Sequence, residues 1–386
     1  MKQYVLMNRT HEVCLLEYDE TAHSIAKVLE PLDGIDRAPV GMFDDLSTSH
    51  GKLRHWWGAR TVPESRPGIK SVLNLLGLDS PKALVEKNHG LSLSDQYWMR
   101  VPTSNIKWED INYFDNDFSD EAGRLLFGFA ESMTEINNRV DLNAPDNTSD
   151  GNLPKRWAII NGVRCMIKGG GFLNQEPHNE VIASELYSRL LGSKDYVPYW
   201  LYANDKVACS LCENMLSNAE EYVPAVYIDN LLPYQEGEEG LEHYLRCTDS
   251  LGFQEAEDQI NKMLVCDFIL ANFDRHYRNF GLIRNVETLT WRVAPLFDSG
   301  SSLWCNKRVL RVDELDYHSA PFISDPLLQL EATSDLSWFN PEKMAGFLSY
   351  AVSLLRDGPL HDYGMRLITL EDALEERIDR VIDMLV

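Results

Sequence analysis

Hydrophobic and polar residues alternate in distinct blocks along this chain of 386 residues. The stretch "RWAII-NG-VRCMIKGG" places two β-rich runs around Asn161-Gly162, a strong hairpin signal. The stretch "NQEPHNEVIASELYSRLLG" then predicts a helix with one apolar face, because Pro177 suits its first turn and Gly192 its end. Two further strand-like runs follow in "VPYWLYANDKVACSLCENML". This part of the chain is therefore predicted as strand, strand, helix, strand, strand.

From about Ser217 onward the pattern predicts mainly helices. "QEAEDQINKMLVCDFILANF" repeats apolar residues at helical spacing, and the tail holds two amphipathic helices, "PEKMAGFLSYAVSLLRD" and "LEDALEERIDRVIDMLV". Between them, "FGLIR" and "TWRVAPLFD" predict a small hairpin. Near the start, "MKQYVLM" predicts a strand, and "SPKALVEKNHG" a short helix with Ser80 as N-cap, Pro81 in its first turn and Gly90 as its stop.

The clearest predicted boundary is "NAPDNTSDGNLPKR", Asn143 to Arg156, because it is rich in turn-forming residues. A chain of this length is also too long for one typical hydrophobic core. We predict an N-terminal accessory domain over residues 1–142, a β-rich part over 143–216 and a helical part over 217–386. The expected fold class is α+β.

The net charge of −24 limits the partners of this chain. An acidic surface repels nucleic acid phosphates and anionic lipids, so neither direct nucleic acid binding nor membrane binding is expected. No apolar run approaches the roughly 18–20 residues of a membrane span, and the opening residues have no secretory pattern. The seven cysteines are an odd number, which suits reduced thiols. A cytoplasmic location is expected.

The stretch "ILANFDRHYRNFGLI" places strongly polar chemistry between apolar elements. Asp274 and Asn279 lie on a predicted loop between a buried helix and a strand, and the hairpin that follows would return Asp298 of "LFDSGSS" to their side. Amide and carboxylate oxygens in such a group suit a hard cation such as Mg²⁺, whose shell nucleotide phosphates would complete. Taken alone, the same residues could simply cap a turn. Together they suit phosphoryl transfer.

Phosphoryl transfer from ATP also needs a cation on the phosphates and a carboxylate that orients it. Lys168 lies at a predicted strand end, beside three glycines. On the helix that follows, Glu185 shares its face with polar residues, whereas Glu180 shares its face with Ala183 and Tyr187 and points inward. We therefore predict that Glu180 pairs with Lys168.

These motifs together resemble the HipA-like serine/threonine kinase family. The resemblance rests on "NFDRHYRNFG" and "APLFDSGSSL", with "IKGG" and "NEVIASELYSRLLG" upstream, in the order that this family has. It covers roughly residues 145 to 386. It implies a two-lobed protein kinase-like fold, with a small β-rich lobe and a larger helical lobe, to which this chain adds an N-terminal α/β domain. The D-R-H-x-x-N loop is also similar to that of phosphatidylinositol kinases.

The resemblance implies a role for each matching residue. Asp274 resembles the catalytic aspartate that orients the acceptor hydroxyl, and Asn279 and Asp298 resemble the two ligands of Mg²⁺. His276 and Arg275 resemble residues that order the loop, with His276 near the phosphates. The residues implied in ATP binding, upstream of this loop, are Lys168 with its partner Glu180, the hinge residues Glu213, Asn214 and Met215, and the phosphate-covering loop with Ser149 and Gly151.

Some features depart from ordinary protein kinases. Arg275-His276 follow the catalytic aspartate instead of preceding it, and Asp298 is followed by Ser299-Gly300 instead of the usual Phe-Gly. The expected phosphate-covering loop, "NTSDGNLPKRW", has a single glycine, and Thr148 and Ser149 lie where relatives carry an autophosphorylated serine.

The predicted function is transfer of the ATP γ-phosphate to a serine or threonine of a protein, with possible autophosphorylation. A kinase of lipid or small-molecule hydroxyls, and a nucleotide-binding pseudokinase that acts as a regulatory module, are the alternatives.

Overall fold

The computed structural model describes residues 1–385 except 44–45, 67, 128–140, 150 and 205–206. Over these residues the chain has a mixed α/β fold, with eleven strands, twelve α-helices and four short 3-10 helices. Within the same residues, no helix is both long enough and apolar enough to cross a bilayer.

The strands are short to medium in length: β1 Lys2–Asn8, β2 His11–Asp19, β3 Ser24–Pro31, β4 Tyr97–Arg100, β5 Lys155–Ile160, β6 Val163–Lys168, β7 Trp200–Asn204, β8 Val207–Glu213, β9 Glu220–Pro224, β10 Gly281–Asn285 and β11 Trp291–Val293. The helices are α1 Leu46–Gly58, α2 Ile69–Leu76, α3 Pro81–Lys87, α4 Trp108–Ile111, α5 Glu121–Phe127, α6 Glu176–Leu190, α7 Ala225–Ile228, α8 Gly240–Ser250, α9 Ala256–Leu270, α10 Pro326–Glu331, α11 Phe347–Arg356 and α12 Gly364–Asp383.

The chain divides into two compact units. Unit 1 consists of residues 1–168 with the short segments 213–222 and 284–290. Unit 2 consists of residues 169–212, 223–283 and 291–386. The three-part division at residues 142 and 216 stays a prediction.

Unit 1 contains an antiparallel sheet in the order β3-β2-β1-β4. Leu6 of β1 lies opposite Cys14 of β2 on one side and Met99 of β4 on the other. Trp98 packs into a core with Val5 and neighbouring apolar residues. The sequence pattern predicted β1, and the structure adds β2 to β4, which the pattern did not reveal.

The predicted hairpin of β5 and β6 is confirmed in unit 1. Ile160 pairs with Val163, and Asn161 and Gly162 between them have φ values of 51° and 82°. Two left-handed residues in a two-residue loop are what a tight antiparallel hairpin requires, and Asn and Gly adopt this conformation at least cost. The hairpin register places Lys168 opposite Lys155, at its open end.

Unit 2 is mainly helical, as the pattern predicted, with α6 packed against α9 and α11, and α12 against α9 and α11. The limits of α6 match the prediction, because Pro177 lies in its first turn and Gly192 follows the C-cap residue Leu191. The predicted hairpin of β10 and β11 is also present: these strands are neighbours in a sheet ordered β11-β10-β9. Its return strand leads directly to Asp298.

Candidate active site

The polar loop begins where α9 ends. Ala271 adopts a left-handed conformation with φ 50°, and its N–H and that of Asn272 bond back to carbonyls of the last helical turn, including that of Asp267. The Asn272 side chain then accepts a hydrogen bond from the N–H of Asp274 at 3.0 Å. The helix end and the first loop residue thus fix the backbone of Asp274.

A buried ion pair anchors this loop to α9. The Arg275 guanidinium, which is 0% exposed, donates to both carboxylate oxygens of Asp267, with Nε–Oδ2 at 2.7 Å and Nη2–Oδ1 at 3.0 Å. Burial alone would lower the pKa of Arg275, but the charge of Asp267 outweighs this effect and raises it. The guanidinium therefore stays charged inside unit 2. Two-pronged pairing of this kind is geometrically specific, which suits a positioning role.

The same guanidinium joins the two segments that carry the predicted metal ligands. Its Nη1 donates to the backbone carbonyl of Asn279 at 2.9 Å and to that of Phe297 at 2.5 Å. Its Nη2 also donates to the hydroxyl of Ser299 at 2.9 Å. Asn279 and the residues on both sides of Asp298 are therefore held around one side chain of unit 2.

The contacts of Arg275 with Asn279, Phe297 and Ser299 form a junction, and Asp274 lies beside it with its side chain open to solvent. Its pKa is raised, chiefly because neighbouring atoms remove part of its hydration and also because the Asp298 carboxylate repels its charge. The charge of His276 and a 3.4 Å hydrogen bond from the Ser301 hydroxyl oppose this rise. A carboxylate with a raised pKa accepts a proton more readily than an ordinary aspartate.

Asn279 and Asp298 carry the types of oxygen atom that a hard cation prefers, and their role as metal ligands stays a prediction. The amide nitrogen of Asn279 donates to the carbonyl of Asp274 at 3.0 Å, and this bond sets the direction of its amide oxygen. Asp298 has φ 57°, a left-handed conformation that Asp tolerates better than most residue types and that is found mainly in turns and at functional sites. Mg²⁺ is commonly held by one or two carboxylates together with phosphate oxygens and water, so these two protein oxygens suit it.

The helix α6 contacts the residues that follow Asp298. Glu180, which is 2% exposed, accepts the backbone N–H of Ser299 at 2.9 Å. Asn179 donates to the carbonyls of Gly300 and Ser302, both at 2.8 Å. A Cβ on Gly300 would lie 3.2 Å from the carbonyl oxygen of Glu176, which is tighter than an ordinary contact. Glu180 thus supports the loop next to the predicted metal ligand.

The predicted nucleotide-binding residues from Ser149 to Met215 lie in unit 1, apart from Glu180. Lys168 is the last residue of β6 and is buried at 7% exposure. Asn214 donates its backbone N–H to the carbonyl of Arg164 at 2.8 Å and its side-chain amide to the carbonyl of Leu93. Glu213 is exposed, and Met215 is half-buried. The pairing of Lys168 with Glu180 and the adenine contact of residues 213–215 stay predictions.

The segment with Ser149 and Gly151 is held by a buried arginine. The guanidinium of Arg66 donates to the hydroxyl and the carbonyl of Ser149 and to the carbonyl of Gly151, at 2.7–3.0 Å. The Thr148 hydroxyl donates to the carbonyl of Leu91, and both hydroxyl residues are buried. In this conformation Thr148 and Ser149 are buried in unit 1, and the role of Ser149 and Gly151 at phosphates stays a prediction.

Sequence reasoning identified Asp274, Asn279 and Asp298 but missed the residues that hold them. Asp267 was passed over within the apolar run "MLVCDFIL". A lone carboxylate in such a run needs a buried cation, and the arginine eight residues later was the available signal. The Tyr187 hydroxyl, which bonds the Ser299 hydroxyl at 2.7 Å, had no sequence signal beyond its inward-facing position on α6.

Comparison with known proteins agrees with the resemblance that the motifs indicated. No family model matches the chain. A 61-residue stretch is 39% identical to the serine/threonine-protein kinase CtkA of Helicobacter pylori; it covers 14% of this chain and 19% of that protein. The crystal structure of a Helicobacter pylori proinflammatory kinase CtkA aligns over 60% of this chain and 95% of its own, at 20% identity and a TM-score of 0.44.

A solved structure of HipA from Shewanella oneidensis, in complex with HipB and operator DNA, aligns over almost the whole chain. The alignment covers 98% of this chain and 97% of HipA, at 13% identity and a TM-score of 0.54. The chain therefore has a HipA-like fold, and its resemblance to HipA-like kinases is confirmed. The fold likeness also includes the N-terminal residues, for which the sequence motifs gave no match.

Proposed function

We propose that this chain is an ATP- and Mg²⁺-dependent kinase that transfers the γ-phosphate to a serine or threonine hydroxyl of a protein. The proposal is carried by the junction at Arg275, which gathers Asn279 and the residues flanking Asp298 beside Asp274. The local identity to a serine/threonine kinase supports it. The proposal includes the two-lobed arrangement, autophosphorylation and a cytoplasmic location.

In the proposed reaction Asp274 orients the acceptor hydroxyl and receives its proton as the hydroxyl oxygen bonds to the γ-phosphorus. The bond from phosphorus to the bridging oxygen breaks, and ADP leaves with that electron pair. When bound, Mg²⁺ supplies positive charge against the phosphate oxygens. Asn279 and Asp298 would hold it, and Arg275 keeps their backbones in place. The raised pKa of Asp274 favours its role as the proton acceptor.

The remaining roles follow the family pattern. Lys168 would bind the nucleotide phosphates, with Glu180 as its partner, and backbone groups of residues 213–215 would bind adenine. We assign His276 to the phosphates, because its exposed side chain lies close enough to Asp274 to influence that carboxyl group. Ser149 and Gly151 would contribute only if their segment leaves its contacts with Arg66.

The decisive test compares the wild-type chain with Asp274→Asn and Asp298→Asn in a radiolabelled ATP assay, with mixed protein acceptors and added Mg²⁺. Both substitutions preserve side-chain shape, so we expect both variants to fold and to lose at least about a hundredfold in phosphate transfer. Asp357→Asn, at an exposed site, should retain wild-type activity.

Transfer at the wild-type rate by either active-site variant would refute the assignment. Label that appears in lipid extracts and not in protein would favour a lipid kinase. Metal-dependent ATP binding by the wild-type chain without any transfer would favour a pseudokinase.

A further inference from the structure

The segment that follows Asp298 has an unusual backbone conformation. Leu303 and Trp304 have φ values of 49° and 50°, so two consecutive large residues adopt the left-handed conformation shortly after Asp298, which has φ 57°. Left-handed backbone is unfavourable for large side chains and persists only where the surrounding structure holds it. Specific contacts must therefore maintain the conformation of this segment.

These contacts are hydrogen bonds to consecutive backbone carbonyls. Each carbonyl from Ser299 to Trp304 accepts a hydrogen bond at 2.6–3.2 Å. The donors are, in chain order of the carbonyls, the Ser302 hydroxyl, the Asn179 amide, the Phe273 N–H, the Asn179 amide again, the Gln175 amide and the Arg366 guanidinium. Because a surface loop leaves most such groups to water, this segment is fixed by the protein itself.

Three buried polar side chains supply most of these bonds and are joined to one another. Gln175 and Asn179 of α6 are 0% exposed, and Arg366 of α12 is 3% exposed. The Gln175 amide nitrogen donates to the Asn179 oxygen at 3.1 Å, and the Gln175 oxygen accepts a bond from Arg366 at 2.8 Å. Arg366 also donates to the carbonyl of Lys307 at 3.0 Å. Gln175, Asn179 and Arg366 thus form one connected network, the carbonyl clamp.

The carbonyl clamp continues the contacts that hold the residue after Asp298. Glu180, next to Asn179 on α6, accepts the N–H of Ser299 at 2.9 Å. Neighbouring residues of one helix therefore bind Ser299 and the carbonyls beyond it. Without the clamp, Leu303 and Trp304 would return to a relaxed backbone conformation, and the chain next to Asp298 would shift with them.

We propose that Gln175, Asn179 and Arg366 are positioning residues that orient Asp298 for a divalent cation. They act through the backbone of residues 299–307, which they hold in its left-handed conformation. The inference rests on the proposed function, because it concerns the predicted metal ligand of that site. Removal of a residue that orients a metal ligand typically weakens metal binding by about 10–100-fold.

The test measures metal binding separately from catalysis. Mn²⁺ is titrated into the full chain with a non-hydrolysable ATP analogue, and free Mn²⁺ is followed by electron paramagnetic resonance. We expect Asn179→Ala and Arg366→Lys each to weaken Mn²⁺ binding by at least about tenfold. Arg366→Lys keeps the charge but loses the planar fork that reaches several acceptors at once. Hydrogen exchange of the amides of residues 299–307 should become faster in both variants.

Asn261→Ala is the matched control for loss of a buried asparagine in unit 2. Asn261 of α9 is 4% exposed and bonds to Ser334. This variant should lower the melting temperature, as Asn179→Ala does, but should leave the affinity for Mn²⁺ within about twofold of wild type. An equal loss of Mn²⁺ affinity in the control would overturn the proposal, because stability alone would then explain the effect. If Asn179→Ala does not fold, Arg366→Lys decides the test.

The positioning role and the kinase assignment fail in different ways. Weakened Mn²⁺ binding in the clamp variants, with no phosphate transfer by the wild type, would support the positioning role and count against the kinase assignment. Transfer by the wild type, with unchanged Mn²⁺ affinity in the folded clamp variants, would overturn the positioning role and leave the kinase assignment standing. If the wild type binds no Mn²⁺ with or without the analogue, both are refuted.

Discussion

A buried carboxyl group in unit 1 should make the stability of this chain depend on pH. Asp146 is 0% exposed; its Oδ1 accepts the N–H of Trp157 at 2.9 Å, and its Oδ2 has no hydrogen-bond partner among the described residues. A Cβ on Gly123 would lie 2.7 Å from Oδ2, so α5 packs directly against the carboxyl group. Burial raises the pKa of Asp146 to about 7, although the Trp157 amide and nearby arginines oppose the shift.

The sign of the effect follows from this raised pKa. The ordinary value is 3.8, so between pH 4 and 7 the folded chain holds a proton that the unfolded chain has released. The resulting stabilisation is fully present below the unfolded value and is lost as pH rises through 7. Between pH 5 and pH 8 the loss from this one group comes to about 3 kcal/mol.

The perturbation is Asp146→Asn, which keeps the acceptor for Trp157 and cannot ionise. Urea unfolding of wild type and variant is followed at pH 5, 6, 7 and 8. All other groups titrate alike in both proteins. The difference between the free energies of unfolding of variant and wild type therefore isolates the contribution of Asp146. Between pH 5 and pH 8, the free energy of unfolding of the variant should rise by about 3 kcal/mol relative to that of the wild type. The control Asp357→Asn should show no such trend, and a difference for Asp146→Asn that stays constant within about 1 kcal/mol would refute the reasoning.

Three further substitutions test the packing around the candidate site and in unit 1. Arg275→Ala should cost about 3–5 kcal/mol in urea unfolding, because it leaves Asp267 buried without its cation; a loss below about 1 kcal/mol would contradict the anchoring role. Gly300→Ala should reduce phosphate transfer by about tenfold with a smaller effect on stability, because the added methyl group presses on α6; wild-type activity would show that the loop tolerates displacement. Gly90 and Gly252 both have φ 76°, but of the two only Gly90 faces an indole ring, which would lie 2.1 Å from an added Cβ. Gly90→Ala should therefore lower the melting temperature much more than Gly252→Ala. Equal losses in melting temperature would exclude the steric argument.

The amino-acid sequence by itself determined the features that depend on neighbouring residues. Asn161-Gly162 predicted its hairpin because only a few residue types tolerate two successive left-handed positions. Pro177 and Gly192 predicted the limits of α6 for similarly local reasons. The candidate chemistry was also local, since Asp274 and Asn279 share one short loop. By contrast, β2 to β4 and their antiparallel sheet left too weak a pattern to be recognised.

Tertiary structure alone decided how the candidate groups are held. Arg275 resembled a loop-ordering residue in the sequence, but only the fold shows that it spans Asp267 on α9, the Asn279 carbonyl and the residues beside Asp298. Likewise, Asp146 belonged to a predicted domain boundary rich in turn-forming residues, yet the fold buries it completely and raises its pKa. Both effects depend on which distant atoms surround a polar group, and that is set by packing between segments far apart along the chain.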